Sequence, residues 1–208
     1  MPDHRHAHEP TPYDERVERH RELMTAAIER DAQAQRALLA GDIAQAQILF
    51  AEAASCYRRS WEAAPPGSFG RLVGMLKSAV LAGSGHDQAA YARAALDAED
   101  ARSPTAAYAL AVAALILRDD PAARAAAETM REGSDAFGRT AAAIEALADG
   151  DAAAYTAALR EIVADFESRS EHLTGVPIAD TALMLELLAE DRGITGGIQS
   201  ALLPPVPS

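Results

Sequence analysis

A chain of 208 residues is long enough for one full-sized domain with a core and too short for two roomy ones. Hydrophobic residues make up 49%, aromatics only 5%, alanine is the commonest residue and β-branched side chains are sparse, so the composition favours helices and excludes most sheet architectures. The formal net charge of −12 opposes phosphate backbones and anionic lipid surfaces, which excludes nucleic acid and membrane as expected partners.

Residues 1–12 are rich in proline, histidine and charge and read as a disordered tail. Its segment "DHRHAHE" sets His4, His6 and His8 at alternate positions. Neutral imidazoles bind zinc, nickel or copper. A tail lacks the second shell that orients ligands, so only weak, incidental metal binding is expected there and no cofactor is assigned. The tail has no apolar run of the signal-peptide kind, and no later run is long enough for a membrane span; the expected location is the cytoplasm.

The first helix is expected over 13–40, entered through Pro12 and carrying Val17, Leu23, Met24, Ala27 and Ile28. A second follows over 43–63, where Ile43, Ala46, Phe50, Ala54, Tyr57 and Trp61 trace one stripe at spacings of three and four. Cys56 lies in that helix; as the one cysteine it allows no intramolecular disulfide. "APPGSFG" breaks the chain before a third helix over 68–82. Further helices are expected over 87–99, 104–118, 121–132, 135–149, 152–171 and 177–192, giving one domain over 13–195. Residues 196–208, ending "LLPPVPS", read as an extended C-terminal arm.

One punctuation recurs: "LLAGDIAQA", "LAGSGHDQAA", "LRDDPAARAA" and "LADGDAAAY". Each closes one apolar-periodic run and opens another. Asp42, Asp87, Asp120 (or Asp119) and Asp151 are natural N-caps, and Gly41, Gly85 and Gly150 suit a left-handed helix end. Pro121 falls at the first helical position if Asp120 is the cap. The expected fold is therefore all-α, with antiparallel helical hairpins stacked as a short solenoid or a compact bundle.

This pattern of turns and alanines resembles tetratricopeptide-like repeats, without their full signature of tryptophan, glycine, tyrosine and proline. The blocks "YRRSWEAAPPGSFGRLVGMLKSAVLAG" and "FESRSEHLTGVPIADTALMLELLAEDRGI" are similar to a family of uncharacterised actinobacterial all-helical proteins, a likeness that assigns no site residue. "LAEDRGI" followed by "SALLPPV" looks distantly like helical immunity proteins of bacterial polymorphic-toxin systems, which would imply binding and blocking a toxin.

No H-E-x-x-H, C-x-x-C or nucleophile-elbow spacing occurs, so no catalytic residue is named. Four residues are candidates for binding: Trp61, Arg71, His172 and Asp180. Trp61, the only tryptophan, is either an interface anchor or a core residue closing the second helix. Arg71 follows the glycine-rich "GSFG" and would add charge to an anion cradle at a helix start. Asp180 lies among apolar residues near the start of the last helix, as an anchor between helices or, with Glu171, His172 and either Arg169 or Arg192, as part of a pocket. The leading expectation is a non-catalytic protein-interaction module with a groove for a basic partner. The alternatives are a toxin-neutralising immunity protein, a homo-oligomer, and a small-molecule-binding domain or enzyme with a pocket near Trp61 or Asp180.

Overall fold

The computed structural model describes residues 12–205, with side chains from residue 18 onward. Of the tail expected over residues 1–12, residues 1–11 with the three histidines lie outside the described residues, and Pro12 is the first residue of a helix. Among the described residues there are nine α-helices, a single 3₁₀ turn and no strand. The chain is an all-α bundle. The helices are α1 (Pro12–Leu39), α2 (Ile43–Ala63), α3 (Gly70–Leu81), α4 (His86–Ala95), α5 (Pro104–Ile116), α6 (Asp120–Met130), α7 (Asp135–Asp149), α8 (Ala152–Glu167) and α9 (Asp180–Glu190). No helix among them is long and apolar enough to cross a membrane.

The recurring punctuation is a recurring helix end. After α1, α3, α5 and α7 the same backbone bond closes the turn: Asp42 N–H to Ala37 O, Ser84 to Ala79, Asp119 to Ala114 and Asp151 to Ala146, each 2.9–3.0 Å. This bond needs a left-handed residue just before its donor. Gly41, Gly83 and Gly150 supply it, and Arg118 adopts the same conformation in the glycine-free turn. The left-handed glycine of the third-helix turn is thus Gly83 and not Gly85. Asp42, Asp119 and Asp151 cap α2, α6 and α8 by accepting first-turn amides. Asp119, not Asp120, is the cap, so Pro121 falls one place later than its N1 expectation. Asp87 caps nothing: α4 starts at His86 and Gly85 precedes it without a side-chain cap.

Three helix ends differ from expectation, each for a local reason. The fourth helix stops at Ala95 because the Asp97 carboxylate accepts the amides of Glu99 and Asp100 at 2.8 and 2.9 Å, which competes with the helical ladder. The eighth stops at Glu167, where the Ser168 hydroxyl donates back to Asp165 O. The ninth starts at Asp180 because the preceding stretch buries Val176 and Ile178 and exposes Pro177, an alternation no helix can satisfy. Residues 168–179 therefore form an irregular strap between α8 and α9.

Successive helices pack as hairpins, and α5 is the hub. It is apolar all round, contacts α3, α4, α6 and α7, and buries Ala106 through Ala109 and Ala111 through Leu115. Where α3 meets α2, the two approach closely enough that a Cβ on Gly74 would stand 2.8 Å from the Tyr57 ring. The last elements return to the first. Helix α9 packs on α3, and Val176, Ile178 and Leu183 join a buried cluster with Ala34, Leu38, Leu49 and Phe50 of α1 and α2. The strap is tied to α1 by the Thr174 hydroxyl donating to Gln35. Beyond α9, Ala179 donates to Leu202 O at 2.9 Å and the Ser200 hydroxyl to Glu167 at 2.7 Å, so residues 194–205 lie along this same domain.

Candidate functional site

The return of the strap roofs a cavity of about 210 Å³. Five parts of the fold line it: Lys77 from α3, Tyr108 from α5, the first turns of α7, the end of α8, and the strap with the start of α9. The volume equals on the order of seven liquid-water volumes. Phe137, Ile162, Phe166 and Ile178 form its apolar surfaces.

One wall is a buried ion pair. Lys77 Nζ donates to Asp180 Oδ2 at 2.6 Å, and both side chains are less than one-fifth exposed. Lys77 is the only lysine in the chain. Burial alone would pull its ammonium down, but the Asp180 carboxylate, with Tyr108 and Asp31, outweighs this and holds it above the ordinary lysine value. Lys77 is therefore a fixed cation and not a free amine. Tyr108 packs beside it, and burial pushes its own ionisation up.

Behind this wall the polar chain continues into α1 and α2. Asp31 is buried and accepts from the Tyr57 hydroxyl and the Ser78 hydroxyl, each at 2.8 Å. Burial pushes its carboxyl up to about 6, against the pull of Lys77 and the two hydroxyls. Tyr57 is held protonated by burial and by Asp31.

The opposite wall carries two arginines on one carboxylate. Arg139 Nη2 donates to Asp165 Oδ1 at 2.5 Å, and Arg169 Nη2 donates to Asp165 Oδ2 at 2.5 Å. The Arg169 guanidinium also lies 3.8 Å above the Phe166 ring. The His172 ring stacks with Phe166, centroids 6.2 Å apart, and its Nδ1 is buried without a hydrogen-bond partner among the described residues. Buried polar atoms in folded proteins are nearly always paired, so this nitrogen is an exception, in a residue whose ring lines the cavity.

The four candidates separate. Asp180 and His172 line this cavity, as does Arg169. Arg192 lies elsewhere: it donates to Leu115 O at 2.9 Å and Asp120 at 3.1 Å, closing the end of α5, while Glu171 is exposed. Arg71 is engaged at the junction of α1, α2 and α3, donating to Ser60 Oγ at 2.8 Å and to His20 Nδ1 at 3.0 Å. Burial and this guanidinium hold His20 below its ordinary value, so its imidazole is neutral and accepts. Trp61 packs on Phe69, with ring centroids 5.9 Å apart, beside a shallow depression with Pro65, Pro66 and Asp100. Lys77, Tyr108, Arg139 and Asp165 were not singled out from sequence. Only the rarity of lysine could have flagged Lys77, since nothing local distinguishes the other three from ordinary helix residues.

Among the described residues no three His, Cys, Asp or Glu side chains converge as a metal site. Comparison with protein-family models, with curated proteins and with solved structures found no match. The class that fold and site define is thus an all-α bundle with a charged, partly apolar cavity under a strap.

Proposed function

We propose that this chain is a small-molecule-binding helical domain whose site is the cavity beneath residues 168–179. The observation that carries this reading is convergence: a Lys77–Asp180 wall, an Arg139–Asp165–Arg169 wall and the His172 ring meet on one partly open space with apolar surfaces. Binding is favoured over catalysis because the one lysine is held charged by its partner and is not a free nucleophile. The protein-interaction reading, including its immunity-protein version, has narrower support. The large apolar side chains left exposed among the described residues are Leu39, Ile48 and Leu173, which is little area for a partner.

The test is extraction of small molecules from the full chain purified natively, with mass spectrometry of the extract. The expected result is one small organic mass near stoichiometry, lost from an Ala136→Phe variant that fills the cavity while leaving its charges in place. Retention of no small mass, together with a stoichiometric protein partner under native conditions, would replace this reading with an interaction module.

A further inference from the structure

We propose that the cavity takes a small organic monoanion, a carboxylate or monoanionic phosphate on a compact apolar body; this rests on reading the cavity as a ligand site. The argument is charge count by wall. The lining holds three cations, Lys77, Arg139 and Arg169, and two carboxylates, Asp165 and Asp180. Lys77 and Asp180 match one another at 2.6 Å. On the other wall two guanidiniums share Asp165, so one positive charge is left over. That surplus stands out in a chain whose net charge is −12.

The hydrogen-bond arithmetic agrees. A guanidinium has five N–H donors. Arg139 uses one of them on Asp165, and the rest have no protein partner among the described residues. Its side chain is 28% exposed, which is partial shelter and not full solvation. An anion held by Arg139 and Arg169 would share the arrangement that Asp165 already has, and planar two-donor recognition is what arginine does best. The Phe166 ring, stacked under Arg169, and Ile162 and Phe137 fit an apolar body next to that charged head. The His172 ring lines the same space, so its signals report on what occupies it.

The experiment is a matched-charge series on the full chain, freed of any bound mass by unfolding and refolding. Acetate, propionate and benzoate are each compared with their own amides and with benzylammonium, by calorimetry and by the His172 ring signals in NMR spectra. At least one carboxylate is expected to bind tenfold or more tightly than its amide, with benzylammonium weakest. Arg139→Gln is expected to erase that preference while the amide's affinity stays within twofold. Amides or benzylammonium binding as well as the carboxylates, with binding abolished by Ala136→Phe, would overturn the monoanion and leave the ligand site standing. Binding of no probe at tens of millimolar, with the His172 signals unmoved, would overturn both.

Discussion

Asp31 is the buried side chain whose chemistry reaches furthest. Both its oxygens are occupied, by Tyr57 and Ser78, yet burial still raises its carboxyl from 3.8 to about 6. The folded chain holds this proton more tightly than the unfolded chain does. Its stabilising contribution is therefore fully present below pH 3.8 and is lost as the pH rises through 6. At ~1.4 kcal/mol per unit, a shift of about two units corresponds to about 3 kcal/mol. Urea unfolding of the wild type and of Asp31→Asn between pH 4 and pH 8 checks this. The stability difference is expected to move in the variant's favour by about 3 kcal/mol as the pH rises. A difference that stays level across the range would mean that Asp31 titrates as an ordinary carboxylate. The residue was invisible as special from its own neighbourhood, because "ERDAQAQ" reads as a solvated helix face until α2 and α3 cover it.

Helices here are delimited by chemistry that acts within a turn. The same substitution should consequently have opposite signs at two glycines. Gly150 ends α7 at φ 70°, where a Cβ crowds the following carbonyl; Gly150→Ala is expected to cost about 1 kcal/mol. Gly138 lies inside α7 with open space around its Cα; Gly138→Ala is expected to add about 0.5–1 kcal/mol by restricting the unfolded chain. Thermal melts of the two variants decide the matter, and a shift of the same sign in both would refute the turn assignment. Cap aspartates and turn glycines were legible for the same reason: their partners are two to five residues away. Where the expected ends were wrong, at Ala95, Glu167 and Asp180, the competing bond or packing contact came from a side chain or segment that periodicity does not report.

The molecule as a whole is closed by the return of α9 to α3, and the Lys77–Asp180 pair sits on that closure, 103 residues apart in sequence. Its partial burial means that removing one partner strands the other. Lys77→Met and Asp180→Leu are each expected to lose about 3 kcal/mol, while the double variant recovers a large part of the loss. A denaturant double-mutant cycle measures this. Losses that simply add would show that the two groups are solvated separately and that the wall of the cavity is not a coupled unit. The cavity depends on the same closure, since the strap that roofs it is held at Gln35, at the α1–α2 cluster and at Leu202.

Length, alanine content, three-and-four spacing and turn residues were enough to read an all-α chain, the nine helices among the described residues and most of their ends. Those features act through contacts within about five residues and need no knowledge of the rest of the chain. Asp180 could be singled out, because a carboxylate among apolar residues is locally unusual, and His172 could be grouped with it as a polar residue nearby along the chain. Their surroundings could not. Lys77, Tyr108 and Arg139 reach them from three other helices, and which helix faces which is set by how the hairpins curl back on themselves. That curl follows from the sum of many small apolar burials, among them the close approach at Gly74 and the cluster at Val176 and Ile178. No single residue carries it, so only the tertiary structure decided which charges share the cavity.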